Sequence, residues 1–260
     1  MGYASFCLPG EYRMEKITSR QNKLLQHVKK LQSSRSYRYQ WGQFVAEGTK
    51  LLSEAVRWYD GLETVILQEG VSAEVPEAVR QVEVPADLMR AVSAMEAPQG
   101  ALFLCRMPEK KPLSLHGGCL ILDGIQDPGN LGTILRTADA LEIPVVLTEG
   151  CADPYSDKTV RASMGAVFRT QPQQSTRAEV LAYCREHHIP LAVTALSDRA
   201  KDIRSAAVEE MAVVIGSEGR GVSAELLEAA EHQLIIPMSE RCESLNAAVA
   251  ATIVMWQMKR

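Results

Sequence analysis

The stretch CLILDGIQDPGNLGTILRTADALEIPVVLTE (119–149) decides the fold class. It opens on a short apolar run, CLILDG, and closes on a second, PVVLTE. Between them Leu131, Ile134, Leu135, Ala138 and Leu141 recur at helical spacing, so the middle reads as a helix with one buried stripe. Two short buried strands joined by a helix make a parallel crossover unit.

The alternation continues toward the carboxyl terminus. SDKTVRASMGAV (156–167) and TRAEVLAYCREHH (176–188) read as helices, and IPLAVTAL (189–196) and MAVVIGSEG (211–219) as strands. SAELLEAAE (223–231) is a helix, HQLIIPM (232–238) a strand, and SLNAAVAATIVMWQMKR (244–260) the last helix. Short apolar strands separated by helices predict a parallel sheet covered on both faces, with ligands beyond the carboxyl ends of its strands.

Upstream the pattern is looser. Leu24, Leu25, Val28 and Leu31 place an amphipathic helix behind the cap Ser19. WGQFVAEG (41–48), ETVILQ (63–68) and GALFLCRM (100–107) read as strands around the helix TKLLSEAVRWY (49–59). The chain is thus expected to divide into a disordered extension (1–13), a smaller α/β domain (14–108), a polar linker (109–118) and a larger α/β domain (119–260). Met14 is an alternative start.

A net charge of −4 argues against a protein that coats nucleic acid indiscriminately. Between Arg13 and Arg38, however, eight basic residues face one acid, Glu15, a local balance of +7. This segment is either a solvated helix face or a phosphate-contacting one. The six cysteines are scattered, with no CxxC pair and no zinc spacing, and read as free thiols. No apolar run approaches the roughly 18 residues of a membrane span, and the start lacks a signal core, which points to the cytoplasm.

Three polar turns each join a strand to a helix: 122–140, 213–225 and 235–250. Helix amino termini expose unpaired N–H groups, so such turns suit anions or carbonyl oxygens, or serve as connections only. In the first turn, Asn130 stands at the helix start and Arg136 off the buried stripe, free to reach a phosphate or carboxylate. In the second, Gly219, Gly221 and Ala224 match a dinucleotide fingerprint, but too little chain follows for a full dinucleotide-binding unit. The nucleotide-hydrolysing P-loop pattern is absent. Glu218 there is either a capping acid or a site residue. In the third, Ser244 lies near a cap and Asn246 in the first turn of a helix that is apolar nearly all round. Such a helix needs burial against the sheet or a second subunit, so a homodimer is expected.

Taken in order and spacing, DPGNLGTILRTADA, GSEGRGVS and IPMSERCESLNAAVAA, with VRASMGAVF (160–168), resemble the motifs of the SpoU/TrmH methyltransferases of the SPOUT superfamily. RYQWGQFVAEGTKLLSEAV is similar to the accessory RNA-binding domain of many members. The resemblance implies a trefoil knot in the carboxyl-terminal domain. It also implies S-adenosyl-L-methionine as cofactor, with Thr194, Leu196, Gly216, Ile236 and Leu245 lining its pocket. Gly216 would let backbone approach the ligand where a Cβ would obstruct it. The family's polar site residues map onto Asn130, Arg136, Glu218, Ser244 and Asn246. The implied activity is methyl transfer to a ribose 2′-hydroxyl of structured RNA, ribosomal RNA first and transfer RNA as the alternative, with no metal, no membrane and no DNA partner. Arg136 would serve as the base or, because a guanidinium holds its proton at neutral pH, as a clamp on alkoxide or phosphate. A nonenzymatic RNA-binding factor and a nucleotide-dependent oxidoreductase are the rival classes.

Overall fold

A computed structural model describes residues 14–115 and 118–260. The expected extension at 1–13, and Arg13 with it, lies outside the described residues. The amino-terminal part runs β1 (Glu15–Lys16), α1 (Lys23–Ser33), α2 (Arg35–Trp41), β2 (Gln43–Glu47), α3 (Thr49–Trp58), β3 (Leu62–Gln68), β4 (Arg80–Val84), α4 (Ala86–Val92) and β5 (Ala101–Arg106). The remainder runs β6 (Cys119–Asp123), α5 (Pro128–Ala140), β7 (Val145–Leu147), α6 (Asp157–Ala162), α7 (Ala166–Arg169), β8 (Gln173–Gln174), α8 (Arg177–Glu186), β9 (Leu191–Thr194) and β10 (Lys201–Asp202). It ends with β11 (Ala212–Gly216), α9 (Ala224–Ala229), β12 (His232–Ile235) and α10 (Ala247–Met258).

The second sheet has the order β10-β12-β9-β11-β6-β7-β8, and every pairing in it is parallel, as the sequence predicts. The alternation of its strands divides the core. Leu120, Leu122, Val213 and Ile215 face α5 and α10, whereas Cys119, Ile121, Ala212 and Val214 face α8 and α9. The carboxyl ends of β6, β9, β11 and β12 therefore open along one edge, between two helical layers. α5 starts where it does because Asp127 caps it, its side chain accepting from the Asn130 N–H at 2.7 Å.

The first sheet is mixed, in the order β1-β4-β3-β5-β2. One face is covered by α1 and α4 through Leu25, Val28, Leu31, Leu88 and Met89. The other carries Phe44 and Phe103, and packs on α3 with its cap Tyr59 and on Tyr155 and Phe168 from the second half. The two halves share one continuous core. A buried ion pair reinforces it: Arg38 of α2 donates through Nε and Nη2 to Asp153 Oδ2 at 2.8 and 2.6 Å, and both residues are nearly inaccessible.

The segment 156–167 differs from the single helix expected. Met164 and Gly165 take left-handed φ values of 51° and 89°, which ends α6 and restarts the chain as α7. A side chain at Gly165 would also press on the Glu54 stem at 3.0 Å.

Candidate active site

A cavity of about 740 Å³ opens at the carboxyl ends of β9, β11 and β12. All five residues expected for the cofactor, Thr194, Leu196, Gly216, Ile236 and Leu245, line it, together with Glu218 and Ser244. Leu196 is largely exposed at the rim, and the Thr194 hydroxyl donates to the Val214 carbonyl at 3.1 Å, locking β9 to β11.

The loop 217–221 folds back on itself. Ser217 and Gly221 exchange backbone bonds at 3.0 and 2.9 Å, and Gly221 has φ +68°. The reason for glycine at 216 differs from the one expected. A Cβ there would meet the backbone of Gly221 and Val222 at 2.2 Å, so glycine admits the returning loop rather than a ligand. The turn resembling a dinucleotide fingerprint is thus a tight hairpin whose tip carries Glu218.

Glu218, Asn130 and Asn246 come together from the 217–221 hairpin, the first turn of α5 and the start of α10. The Asn130 side-chain amide donates to the Glu218 carboxylate, and Asn246 Nδ2 donates to Asn130 Oδ1 at 3.0 Å. Asn246 Oδ1 accepts from the Ala248 and Val249 N–H groups, which makes it the cap of α10 rather than a residue of its first turn. A helix start thereby orients one amide, which orients the next, which fixes a carboxylate at the cavity wall.

Arg136 stands apart. It lies six residues beyond Asn130 on α5, about 9 Å along the axis. It is exposed, does not line the cavity, and its side chain makes no hydrogen bond or ion pair among the described residues.

One buried residue escaped the sequence reading. Asp123 ends β6 almost inaccessible, accepting from Thr148 Oγ1 at 2.8 Å, Arg177 Nε at 2.8 Å and the Ser223 N–H at 2.7 Å. Burial, the largest single influence, pushes its carboxyl up, but the bonds from Ser223, Thr148 and Arg177 together hold it below the usual carboxylate range. Asp123 ties the far end of the Glu218 hairpin to β7 and α8. The signal was an acid ending an apolar strand, legible only with its partners.

The cavity suits the cofactor the motifs imply. Its size falls within the range of small-molecule sites, and Leu196, Ile236, Leu245 and Ala250 offer apolar walls beside strand-end backbone groups. Among the described residues no cluster of His, Cys, Asp and Glu could hold a metal ion, and no helix is long and apolar enough to cross a membrane.

Residues 118–256 match the SpoU rRNA methylase family, and residues 22–102 the MRM3-like substrate binding domain. The chain is 31% identical, over 95% of its length and 100% of the relative's, to the 23S rRNA (guanosine(2553)-2′-O)-methyltransferase RlmP of Bacillus subtilis. It is 26% identical to the mitochondrial rRNA methyltransferase 3 of Xenopus tropicalis, over 97% of this chain and 75% of that one. The AdoMet-bound rRNA methyltransferase of Sinorhizobium meliloti superposes with a TM-score of 0.82 at 26% identity, over 95% of this chain and 97% of that one. Motifs, sheet and cavity agree with these likenesses, and the chain belongs to the SpoU rRNA methylase family as an S-adenosylmethionine-dependent RNA 2′-O-methyltransferase.

Proposed function

We propose that this enzyme methylates a ribose 2′-hydroxyl of ribosomal RNA in the cytoplasm, with residues 14–108 selecting the RNA and residues 119–260 performing the transfer across a homodimer. The observation that carries the reading is the Asn246–Asn130–Glu218 relay ending on the wall of the strand-end cavity. The named relatives, which act on rRNA, support the substrate class. The non-sequential strand order, with β11 between β9 and β6, supports a threaded, knotted carboxyl terminus.

Bound S-adenosylmethionine supplies an electrophilic methyl group, so the protein's task is to place and polarise the attacking oxygen. Thr194, Leu196, Gly216, Ile236 and Leu245 hold the cofactor. The Glu218 carboxylate, fixed by Asn130, accepts from the ribose hydroxyl, turns its lone pair toward the cavity and takes its proton as the oxygen gains the methyl group, with the Ser244 hydroxyl on the same wall. Arg136 stabilises negative charge as it develops on that oxygen or on the neighbouring phosphate. A guanidinium keeps its proton at neutral pH, which suits a clamp better than a base.

Since Arg136 does not line its own subunit's cavity, it acts on the partner's. α10, which packs against α5, leaves Val249 and Trp256 exposed with the half-buried Ile253 between them, at i, i+4, i+7 spacing, and Trp256 is 68% exposed. A second copy would bury this stripe and bring each Arg136 toward the other site.

Complementation tests the arrangement. Arg136→Ala and Glu218→Gln homodimers should each be nearly inactive, whereas mixing and re-annealing them should restore roughly a quarter of wild-type turnover, from one intact site in half of the dimers. Absence of rescue in verified heterodimers would place Arg136 in its own subunit's site.

A further inference from the structure

A second cavity, about 860 Å³, lies between the two halves of the chain, and the cofactor site uses none of it. Its amino-terminal wall carries Tyr39 and Trp41 of α2, which are 42% and 55% exposed although the cavity lies beside the shared core. Around them stand Arg35, Arg106, Lys110 and Lys111. Among the described residues none of these four cations lies within ion-pair distance of a carboxylate, although Lys110 stands near enough to Glu179 to interact with it. Arg35 makes one long bond to the Cys151 carbonyl, at 3.5 Å, and lies over the Tyr39 ring. Of the two acids on the wall, Glu109 and Glu149, the latter is paired with Arg177 at 3.4 Å.

The position is as telling as the lining. The cavity floor is formed by residues 147–152 and 171–176, which include the carboxyl ends of β7 and β8 and the loops that follow them. In the order β11-β6-β7-β8 these ends share the edge that holds the cofactor cavity, three strand spacings or roughly 14 Å from β11. The wall between the two cavities is rigid, because Thr148 and Arg177 both bond to Asp123, and Arg177 also donates to the Glu149 carbonyl at 3.0 Å. The other wall is fixed by Arg38–Asp153 and by the Tyr39 hydroxyl, which donates to Gln174 at 3.1 Å.

We infer that this cleft is a nucleotide-binding subsite for single-stranded RNA next to the methylated residue, with a base stacked on Trp41 or Tyr39 and backbone phosphates on Arg106, Lys110 and Lys111. Exposed aromatic faces beside unpaired cations are what an unstacked base and its phosphates need, and what a compact protein would otherwise cover. Because α2 is clamped to the second half, a strand seated there has a fixed offset from the target ribose. The inference rests on the reading of the chain as an RNA enzyme and adds where the flanking strand lies.

The test uses the full chain and a fluorescent single-stranded oligoribonucleotide carrying 5-bromouridine. Photo-crosslinks should map to Tyr39 or Trp41, and Trp41→Ala should weaken oligonucleotide binding by about 5- to 150-fold. The salt dependence of log affinity should fall by about 0.7 for each of Lys110→Gln and Lys111→Gln. Trp41 is more than half exposed but packs edge-on against His27 at 4.9 Å and lies beside Tyr37, so its replacement should lower the melting temperature only slightly and leave S-adenosylmethionine affinity at the wild-type value. Crosslinks confined to other surfaces, or wild-type binding by Trp41→Ala, would overturn the subsite. Cofactor titration separates the two readings. A wild-type protein that binds cofactor and methylates ribosomal RNA with an indifferent cleft loses only this inference. One that crosslinks through the cleft but binds no cofactor loses only the methyl-transfer reading.

Discussion

Two polar networks in this molecule are built from similar groups and do different work. Arg38 and Asp153 are buried, and their own groups are used: Arg38 Nη1 reaches the Leu31 carbonyl at 2.6 Å, and Asp153 Oδ1 accepts from the Tyr155 N–H at 3.0 Å. Glu218, Asn130 and Asn246 instead form a chain that ends at a cavity wall, where the carboxylate keeps a face toward solvent. A network with nothing left to give holds two halves together, and one with an open end can receive a substrate. Their variants should therefore separate stability from rate.

The largest effect is expected at the closed network. Asp153→Ala leaves the Arg38 guanidinium buried with two carbonyls and no counter-charge, which should cost about 3–5 kcal/mol of unfolding free energy in urea titration. A loss below about 1 kcal/mol would show that the pair is hydrated and that the halves can separate. Glu218→Gln should show the reverse pattern. Its unfolding free energy should stay within about 0.5 kcal/mol of wild type, as for an exposed residue, while single-turnover methylation falls at least about a hundredfold. Equal losses in both quantities would make the open chain merely another brace.

The sequence discloses these networks unequally. The parallel sheet and its glycine-bearing turns are legible because strand alternation and turn residues are local signals, whereas the five residues that line the strand-end cavity are reached only through the resemblance to the family's motifs. Asn130, Glu218 and Asn246 were assembled by motif order, since residues separated by 88 and 116 positions show no contact in a linear reading. The local charge balance offers Arg38 to RNA with its neighbours, but it is buried against Asp153, and Lys16 and Arg20 are paired with Glu83 and Asp87. Periodicity gives the face a residue occupies, not the partner that covers it. For the same reason Phe44 and Phe103 are legible as core, while their packing on Phe168 is not. Removal of residues 1–108 would expose that aromatic cluster together with Asp153, so the remainder is expected to be insoluble.

The smallest expected effect lies where the two kinds of network meet. Asp123 is buried like Asp153, yet its Oδ2 holds the Ser223 N–H at the end of the Glu218 hairpin. Asp123→Asn keeps the shape but turns one oxygen into a donor, which must then face either Ser223 N–H or the Arg177 and Thr148 donors. The mismatch should cost about 1–2 kcal/mol, the lower part of the range for a buried unsatisfied group, because Arg177 keeps access to water. Acidity gives the sharper reading. The folded carboxyl titrates below its unfolded value, so its contribution is complete above roughly pH 4 and is lost as pH falls through the lowered folded value. The gap in melting temperature between wild type and Asp123→Asn should accordingly be constant from pH 7 to about 5 and close below 4. A gap that persists unchanged in acid would mean that Asp123 acts by shape and not by charge. Since Ser223 follows the hairpin that carries Glu218, the variant should also lower the methylation rate modestly at pH 7 with cofactor affinity kept, placing Asp123 between the brace and the reacting wall.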